Sequence, residues 1–159
     1  MASLRLPLSV ALTGLTACLI PIAVTPAAVQ AGCRYLQPIG GSGNTPIVSK
    51  QVGPGRLLGK TNWNTDFIVD RPYARYRFLF RANSSSPKAT YPVEGTIKFS
   101  DGTSLQLFSQ QLNLPVGGQK LFGPFRAVPG KQASQMNFKV GGDPSSLGYS
   151  YQISEEGCD

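Results

Sequence analysis

Three arginines in the segment "RYRFLFR", residues 75–81, have side chains suited to holding anions. Arg75, Arg77 and Arg81 are two and four positions apart, so a β-strand would place all three on one face. A guanidinium group binds sulfate, phosphate or carboxylate through two parallel N–H donors. Together with Arg71 just upstream, the segment predicts a weak binding surface for a polyanion or an acidic glycan.

An ordinary solvated strand face is the alternative interpretation of the same arginines. Their charge would then be balanced by the nearest carboxylates, Asp66, Asp70 and Glu94. The aromatic residues of the segment alternate with the arginines and would face the core. Proteins that bind single-stranded nucleic acid stack bases on aromatic side chains beside basic groups. We therefore expect no nucleic-acid partner.

Trp63 is the single tryptophan of the chain and lies between two asparagines, Asn62 and Asn64. An exposed indole beside amide groups could stack against a sugar ring and bond its hydroxyls. The alternative is that the indole closes one end of the hydrophobic core, where its large apolar surface is buried. We include Trp63 as a weak ligand-binding candidate.

Catalytic chemistry finds little support in the residue types. The chain contains no histidine, which excludes a Ser-His-Asp triad, a Cys-His dyad and a His-ligated zinc. "SSPK", residues 85–88, has the spacing of a serine–lysine enzyme motif but carries a proline unsuited to the required helix. "GPGRLLGKT", residues 53–61, has the wrong glycine spacing for a phosphate-binding loop. We expect a non-enzyme with no cofactor and no metal site; a glycan-acting enzyme is the third hypothesis.

The first 31 residues resemble a cleaved export signal. Arg5 supplies a positive charge, an interrupted apolar stretch follows over residues 6–24, and the small residues Val29 and Ala31 precede the predicted cleavage site. We expect a secreted or periplasmic protein with no transmembrane span in residues 32–159. The alternative is a membrane-anchored lipoprotein, because "LTAC" resembles a lipobox whose cysteine, Cys18, would carry the lipid.

Cleavage after Ala31 would leave two cysteines, Cys33 and Cys158, near opposite ends of the remaining chain. Paired cysteines in an oxidising compartment usually form a disulfide, which we predict here. Removing Arg5 with the leader lowers the formal charge from +7 to +6. This net positive charge would favour binding to an anionic wall polymer, and it would equally well serve only to keep the protein soluble.

Alternating apolar and polar residues predict short β-strands along most of the remaining chain. Residues 32–64 form a turn-rich segment with one or two short strands, and residues 65–159 hold the main strands. The expected strands are 47–52, 65–71, 74–82, 93–99, 121–128, 135–140 and 147–153.

Two predicted hairpins set the register of these strands. Strands 65–71 and 74–82 would pair across the turn "RPYA", which would bring Asp70 opposite Arg75. A three-residue loop with a left-handed Gly102 would place Phe99 opposite Thr103.

The fold class that follows is all-β: one domain over residues 32–159, with about seven short, mainly antiparallel strands in a β-sandwich. An immunoglobulin-like or jelly-roll-like arrangement is expected, and a small β-barrel is the alternative. The function expected is an exported, non-catalytic binding or structural module that contacts an anionic glycan or envelope polymer. The alternative function is an accessory subunit that docks on an exported protein partner.

Overall fold

A computed structural model describes residues 32–40, 45–53, 64–84, 90–141 and 146–159. The predicted export signal, Trp63, the "SSPK" motif and most of the "GPGRLLGKT" segment lie outside these residues. The strands are β1 (Cys33–Tyr35), β2 (Gln37–Pro38), β3 (Val48–Gln51), β4 (Asn64–Ile68), β5 (Arg75–Ala82), β6 (Tyr91–Phe99), β7 (Ser104–Leu112), β8 (Gln119–Arg126), β9 (Ala133–Val140) and β10 (Ser150–Cys158).

Two five-stranded antiparallel sheets form the molecule. Sheet A has the order β1-β10-β5-β8, with β3 also paired to β10, and sheet B has the order β2-β4-β9-β6-β7. The sheets are not closed into a barrel, so the β-sandwich prediction is confirmed. The described residues form ten strands instead of about seven, because residues 32–51 supply three short ones and β7 follows the second predicted hairpin loop.

The core between the sheets is rich in aromatic residues, as the alternation in the sequence predicts. Phe78 and Phe80 of β5 are fully buried and lie against Phe138 of β9, with ring centroids 5.9 and 6.0 Å apart. Aromatic rings packed in this way contribute beyond their buried area. Burial alternates residue by residue along β4, β5 and β6 and from Met136 onward in β9, as the alternation in the sequence predicts.

The predicted pairing of strands 65–71 and 74–82 is wrong. β4 belongs to sheet B and β5 to sheet A, so the intervening residues cross from one sheet to the other. Arg75 therefore lies opposite Cys158 and Arg126, and not opposite Asp70. Alternation could not detect the error, because two strands facing each other across a core bury the same residues as two strands paired in one sheet.

The second hairpin prediction is confirmed. The Phe99 amide donates a hydrogen bond to the Thr103 carbonyl at 2.8 Å, and Ile97 pairs with Leu105. Gly102 has a φ of +83°, the left-handed conformation that a residue without a Cβ adopts at little cost. This loop joins β6 to β7, the edge strand of sheet B.

The N-terminal strands close one side of the sandwich. β1 pairs with the last residues of β10, buried Leu36 carries the chain across to β2 beside β4, and β3 returns to the first half of β10. The predicted disulfide is present and joins Cys33 to Cys158 between β1 and β10. Its 125-residue separation means that it constrains nearly the whole described fold.

β10 differs from the predicted strand 147–153 at both ends. Leu147, the first residue of the predicted strand, is 41% exposed, and the strand begins at Ser150. It continues through Glu155 to Cys158, because β1 and β5 pair with this second half. The charged "SEEG" sequence has no strand-like alternation, so only the tertiary pairing makes it a strand.

Candidate functional site

The outer side of sheet A carries the arginines singled out in the sequence. β5 places Arg75, Arg77 and Arg81 there, because their even spacing puts them opposite the buried aromatic residues of the same strand. β8 adds Arg126, which lies directly opposite Arg75. We call this surface the basic face and define it by those four arginines together with Tyr35 of β1.

Arg75 and Arg126 form a like-charged pair across neighbouring strands. Both are exposed, and neither forms a salt bridge with any residue in the described part of the chain. Like charges directly opposite each other destabilise a sheet. An anion placed between the two guanidinium groups would turn this repulsion into attraction on both sides.

A shallow depression of about 160 Å³ lies farther along the same face. Arg81, Gln119 and Gln152 bring one cation and two amides to its rim, and Leu79 and Ile47 give it an apolar part. The backbone partners of Arg81 are these same two glutamines, one on each neighbouring strand. A cation, amide groups and an apolar surface together match the groups of an acidic sugar.

Two predicted site residues already have carboxylate partners. Arg77 forms a salt bridge with Glu156 on β10, and Arg71 bonds Asp159 at 2.8 Å. Arg71 also lies over the ring of Tyr73, 4.5 Å from its centroid. Arg77 and Arg71 are therefore poorer anion ligands than Arg75 and Arg81, although all four were predicted together.

Tyr35 was missed in the sequence and adds an aromatic surface to the basic face. It lies opposite Glu156 and is 46% exposed. The predicted disulfide could have indicated the position of Tyr35 from the sequence. Aligning Cys33 with Cys158 in an antiparallel pair brings Tyr35 beside Glu156 two residues later.

The outer side of sheet B has its charges paired. The Asp66 carboxylate accepts a hydrogen bond from Asn137 at 2.8 Å and lies 3.5 Å from the Lys98 ammonium. Lys139 lies 3.2 Å from Glu94. This surface is the solvated, charge-balanced strand face that was the alternative interpretation for sheet A.

Glu155 is the most unusual charged residue of the described fold. It faces the core opposite Phe78, is fully buried, and neither carboxylate oxygen has a hydrogen-bond partner. Burial, with a smaller contribution from the charge of Asp66, raises the pKa of this carboxyl well above its usual range. No solvent reaches the side chain, so we assign it to the core and not to a binding surface.

A second and larger depression, of about 340 Å³, lies at one end of the sandwich and includes Pro72, Tyr73 and Ala127. Its one charged side chain, Lys131, is bonded to Asp101 at 2.8 Å. The Lys131 and Thr103 bonds hold the pKa of Asp101 well below its usual range. With its cation already paired, this depression is less suited to an anion than the basic face.

Within the described ranges, no group of three or more acidic, cysteine or histidine side chains is arranged to hold a metal ion. The same part of the chain contains no helix long and apolar enough to cross a membrane. Neither a family model, a curated protein nor a solved structure matches this chain. The site must therefore be interpreted from its own geometry.

Proposed function

We propose that this protein is an exported, non-catalytic β-sandwich that binds an anionic glycan or wall polymer on its basic face. The observation that carries the proposal is the opposed pair Arg75 and Arg126, two exposed cations without carboxylate partners among the described residues. The formal charge of +6 that remains after removal of the leader with Arg5 would draw a polyanion toward the molecule.

The length of the basic face favours a polymer over a small ligand. Arg75 and Arg81 are six residues apart on one strand, a span of roughly 20 Å at the usual rise of a β-strand. A single sugar or a free phosphate would occupy one of the two positions. A chain with repeated acidic groups would reach the Arg75–Arg126 pair and the depression at Arg81 together.

Each part of the face has a separate role in this binding mode. The Arg75–Arg126 pair holds one sulfate, phosphate or carboxylate, and Arg81 holds a second one in the depression. The amides of Gln119 and Gln152 bond sugar hydroxyls, and exposed Tyr35 offers a ring for stacking.

The predicted leader and the disulfide support export. Residues 1–31 carry the pattern of an export signal, and disulfides persist in oxidising compartments. Envelope and extracellular polymers rich in acidic groups are found there.

Binding to three polysaccharides tests the proposal: sulfated heparin, carboxylated polygalacturonate and neutral dextran. We expect binding to at least one acidic polymer, none to dextran, and an affinity that falls steeply with added salt. Replacing Arg75 and Arg81 by glutamine should weaken binding by a factor on the order of ten or more, because charge-assisted hydrogen bonds are lost.

A matched control is available on sheet B, where Lys98→Gln with Lys139→Gln removes the same number of positive charges. This variant should bind within about twofold of the unmodified protein, a change well below about 1.4 kcal/mol, because both lysines lie on the outer side of sheet B and not on the basic face. Equal losses in both variants would show that only net charge matters. That result, or no binding to either acidic polymer, overturns the proposal.

A further inference from the structure

The edges of the two sheets differ in how they are protected against pairing with another chain. Exposed edges are usually made unsuitable by charged side chains, proline, bulges or short length. β8, at one edge of sheet A, carries Lys120 and Arg126, and its ladder with β5 is interrupted near Gly123 and Pro124. The other edge of sheet A is divided between the short strands β1 and β3.

Sheet B has one protected edge and one open edge. β2 is two residues long and includes Pro38. β7 at the opposite edge runs for nine residues, "SLQLFSQQL", with no charged residue, proline or glycine. None of the described strands pairs with its outer side. Of the edges that the structure describes, it is the one that is long and carries neither a charged residue nor a proline; its one irregularity is a register shift beside Leu107.

The open part of β7 is the segment Phe108–Leu112. A register shift beside Leu107 interrupts the ladder with β6, and regular pairing follows from Phe108, opposite Gly95, to Leu112, opposite Tyr91. Gln110 in the middle of this segment is exposed, although it lies on the core side of the sheet. Its side chain is therefore accessible to a partner at the edge.

We propose that β7 pairs with β7 of a second copy of this chain in an antiparallel dimer. The charge distribution favours a second copy, since two molecules of formal charge +7, or +6 without the leader, repel each other unless they meet at an uncharged surface. The sequence is uncharged from Thr103 to Gln119. The outer side of sheet B next to this edge has the balanced pairs Lys139–Glu94 and Lys98–Asp66.

The segment is also complementary to itself. A two-fold axis at Gln110 would place Phe108 opposite Leu112 of the second copy and Ser109 opposite Gln111. The two copies of Gln110 would then face each other and could bond through their amides. The two five-stranded B sheets would form one continuous sheet. An acidic protein or polymer would instead be attracted to the basic face of sheet A.

Dimerisation at this edge leaves both basic faces free, because they lie on sheet A. A dimer would present two such faces to one polymer, and linked binding sites raise the apparent affinity without any new contact. This dimer does not depend on the proposed ligand and can be tested without it.

Sedimentation equilibrium of the purified protein over a wide concentration range tests the dimer. We expect monomer at low concentration and dimer at high concentration. Gln110→Lys should abolish the dimer, because two like charges would face each other across the two-fold axis. Thr96→Lys adds the same charge on β6, which lies between β9 and β7 and not at the edge of sheet B, and should leave dimerisation unchanged. Thermal unfolding of each variant checks that it is folded.

Mixing two variants gives a sharper test of the register. Gln110→Lys and Gln110→Glu should each be monomeric alone, and a mixture of the two should form a heterodimer. A protein that remains monomeric at every concentration overturns the proposal. A dimer unaffected by Gln110→Lys places the interface elsewhere and also overturns it.

Discussion

The outer faces of the two sheets obey the same strand alternation but differ in the balance of their charges. On sheet B, Asp66 and Glu94 neutralise Lys98 and Lys139. On sheet A, Glu156 neutralises Arg77, whereas Arg75 and Arg126 lie opposite each other. Alternation determines which side chains point outward, and the pairing of strands determines which charges meet. The unbalanced face is therefore the one that an external anion could complete.

The largest expected effect concerns the disulfide that anchors the edge of sheet A. Replacing Cys33 and Cys158 by alanine should lower the free energy of unfolding by about 5 kcal/mol, because the bridge closes a 125-residue loop. Urea denaturation measures this loss. Removing the disulfide should also increase the rate of hydrogen exchange more in β1, which carries Tyr35, than in β4 or β9 of sheet B. An unchanged urea midpoint would contradict the expected effect.

The next effect concerns Glu155, the buried carboxyl of the same sheet. Glu155→Met should stabilise the fold by about 1–3 kcal/mol at acidic pH, because a buried polar group without a partner is removed. The gain should increase toward neutral pH. The folded-state pKa lies above the unfolded value, so the native protein loses stability as pH rises between the two, at about 1.4 kcal/mol per pH unit.

Urea titrations at several pH values measure this dependence. The unmodified protein should become less stable above about pH 4.3, the ordinary pKa of a glutamate, and the Glu155→Met variant should have a flatter profile. Glu156→Gln is the neighbouring control, because Glu156 is on the outer face and bonded to Arg77. A profile unchanged by Glu155→Met would show that this carboxyl is solvated or bonded in solution.

A smaller effect compares one salt bridge on each face. Arg77→Gln should cost about 1–2 kcal/mol, because it leaves Glu156, whose side chain is 13% exposed, without its partner. Lys139→Gln should cost less than about 1 kcal/mol, because Lys139 and Glu94 are both more than one-third exposed. Thermal or urea unfolding of the two variants in parallel measures the difference. Equal costs would mean that the more buried salt bridge of sheet A stabilises the fold no more than the exposed salt bridge of sheet B.

The sandwich and the positions of the outward arginines could be predicted because strand alternation is local. Arg75, Arg77 and Arg81 share a face in any β-strand, and the aromatic residues between them must then be buried. The disulfide could be predicted from the number of cysteines and the predicted export signal. These inferences depend on residues near one another in the sequence or on a single pair.

The unpredicted part of the site depends on strand neighbours distant in the chain. Arg126 joins the basic face because β8 pairs with β5, and Glu156 neutralises Arg77 because β10 lies on the other side. Neither of these strand pairings can be recognised from the alternation of apolar and polar residues in the sequence. The wrong hairpin assigned Asp70 to Arg75, whereas Asp70 accepts a hydrogen bond from Tyr73 at 2.9 Å.

The substitution with the smallest expected change in stability tests the comparison of the two faces most directly, because it makes the basic face resemble the outer side of sheet B. Arg126→Glu replaces a like-charged cross-strand pair by an opposite-charged one with Arg75 and should stabilise the fold by up to about 1 kcal/mol. The same change should abolish binding of the acidic polymer at this position. Arg126→Gln, which removes the repulsion without adding an attraction, should be intermediate in both properties.

Urea denaturation and polymer binding must be measured on the same three proteins, since the inference depends on their opposite directions. A gain in stability with a loss of binding means that the unmodified chain keeps an unfavourable charge pair that a ligand relieves. A gain in stability with binding unchanged would separate the Arg75–Arg126 pair from the binding site and leave Arg81 and its depression as the site to pursue.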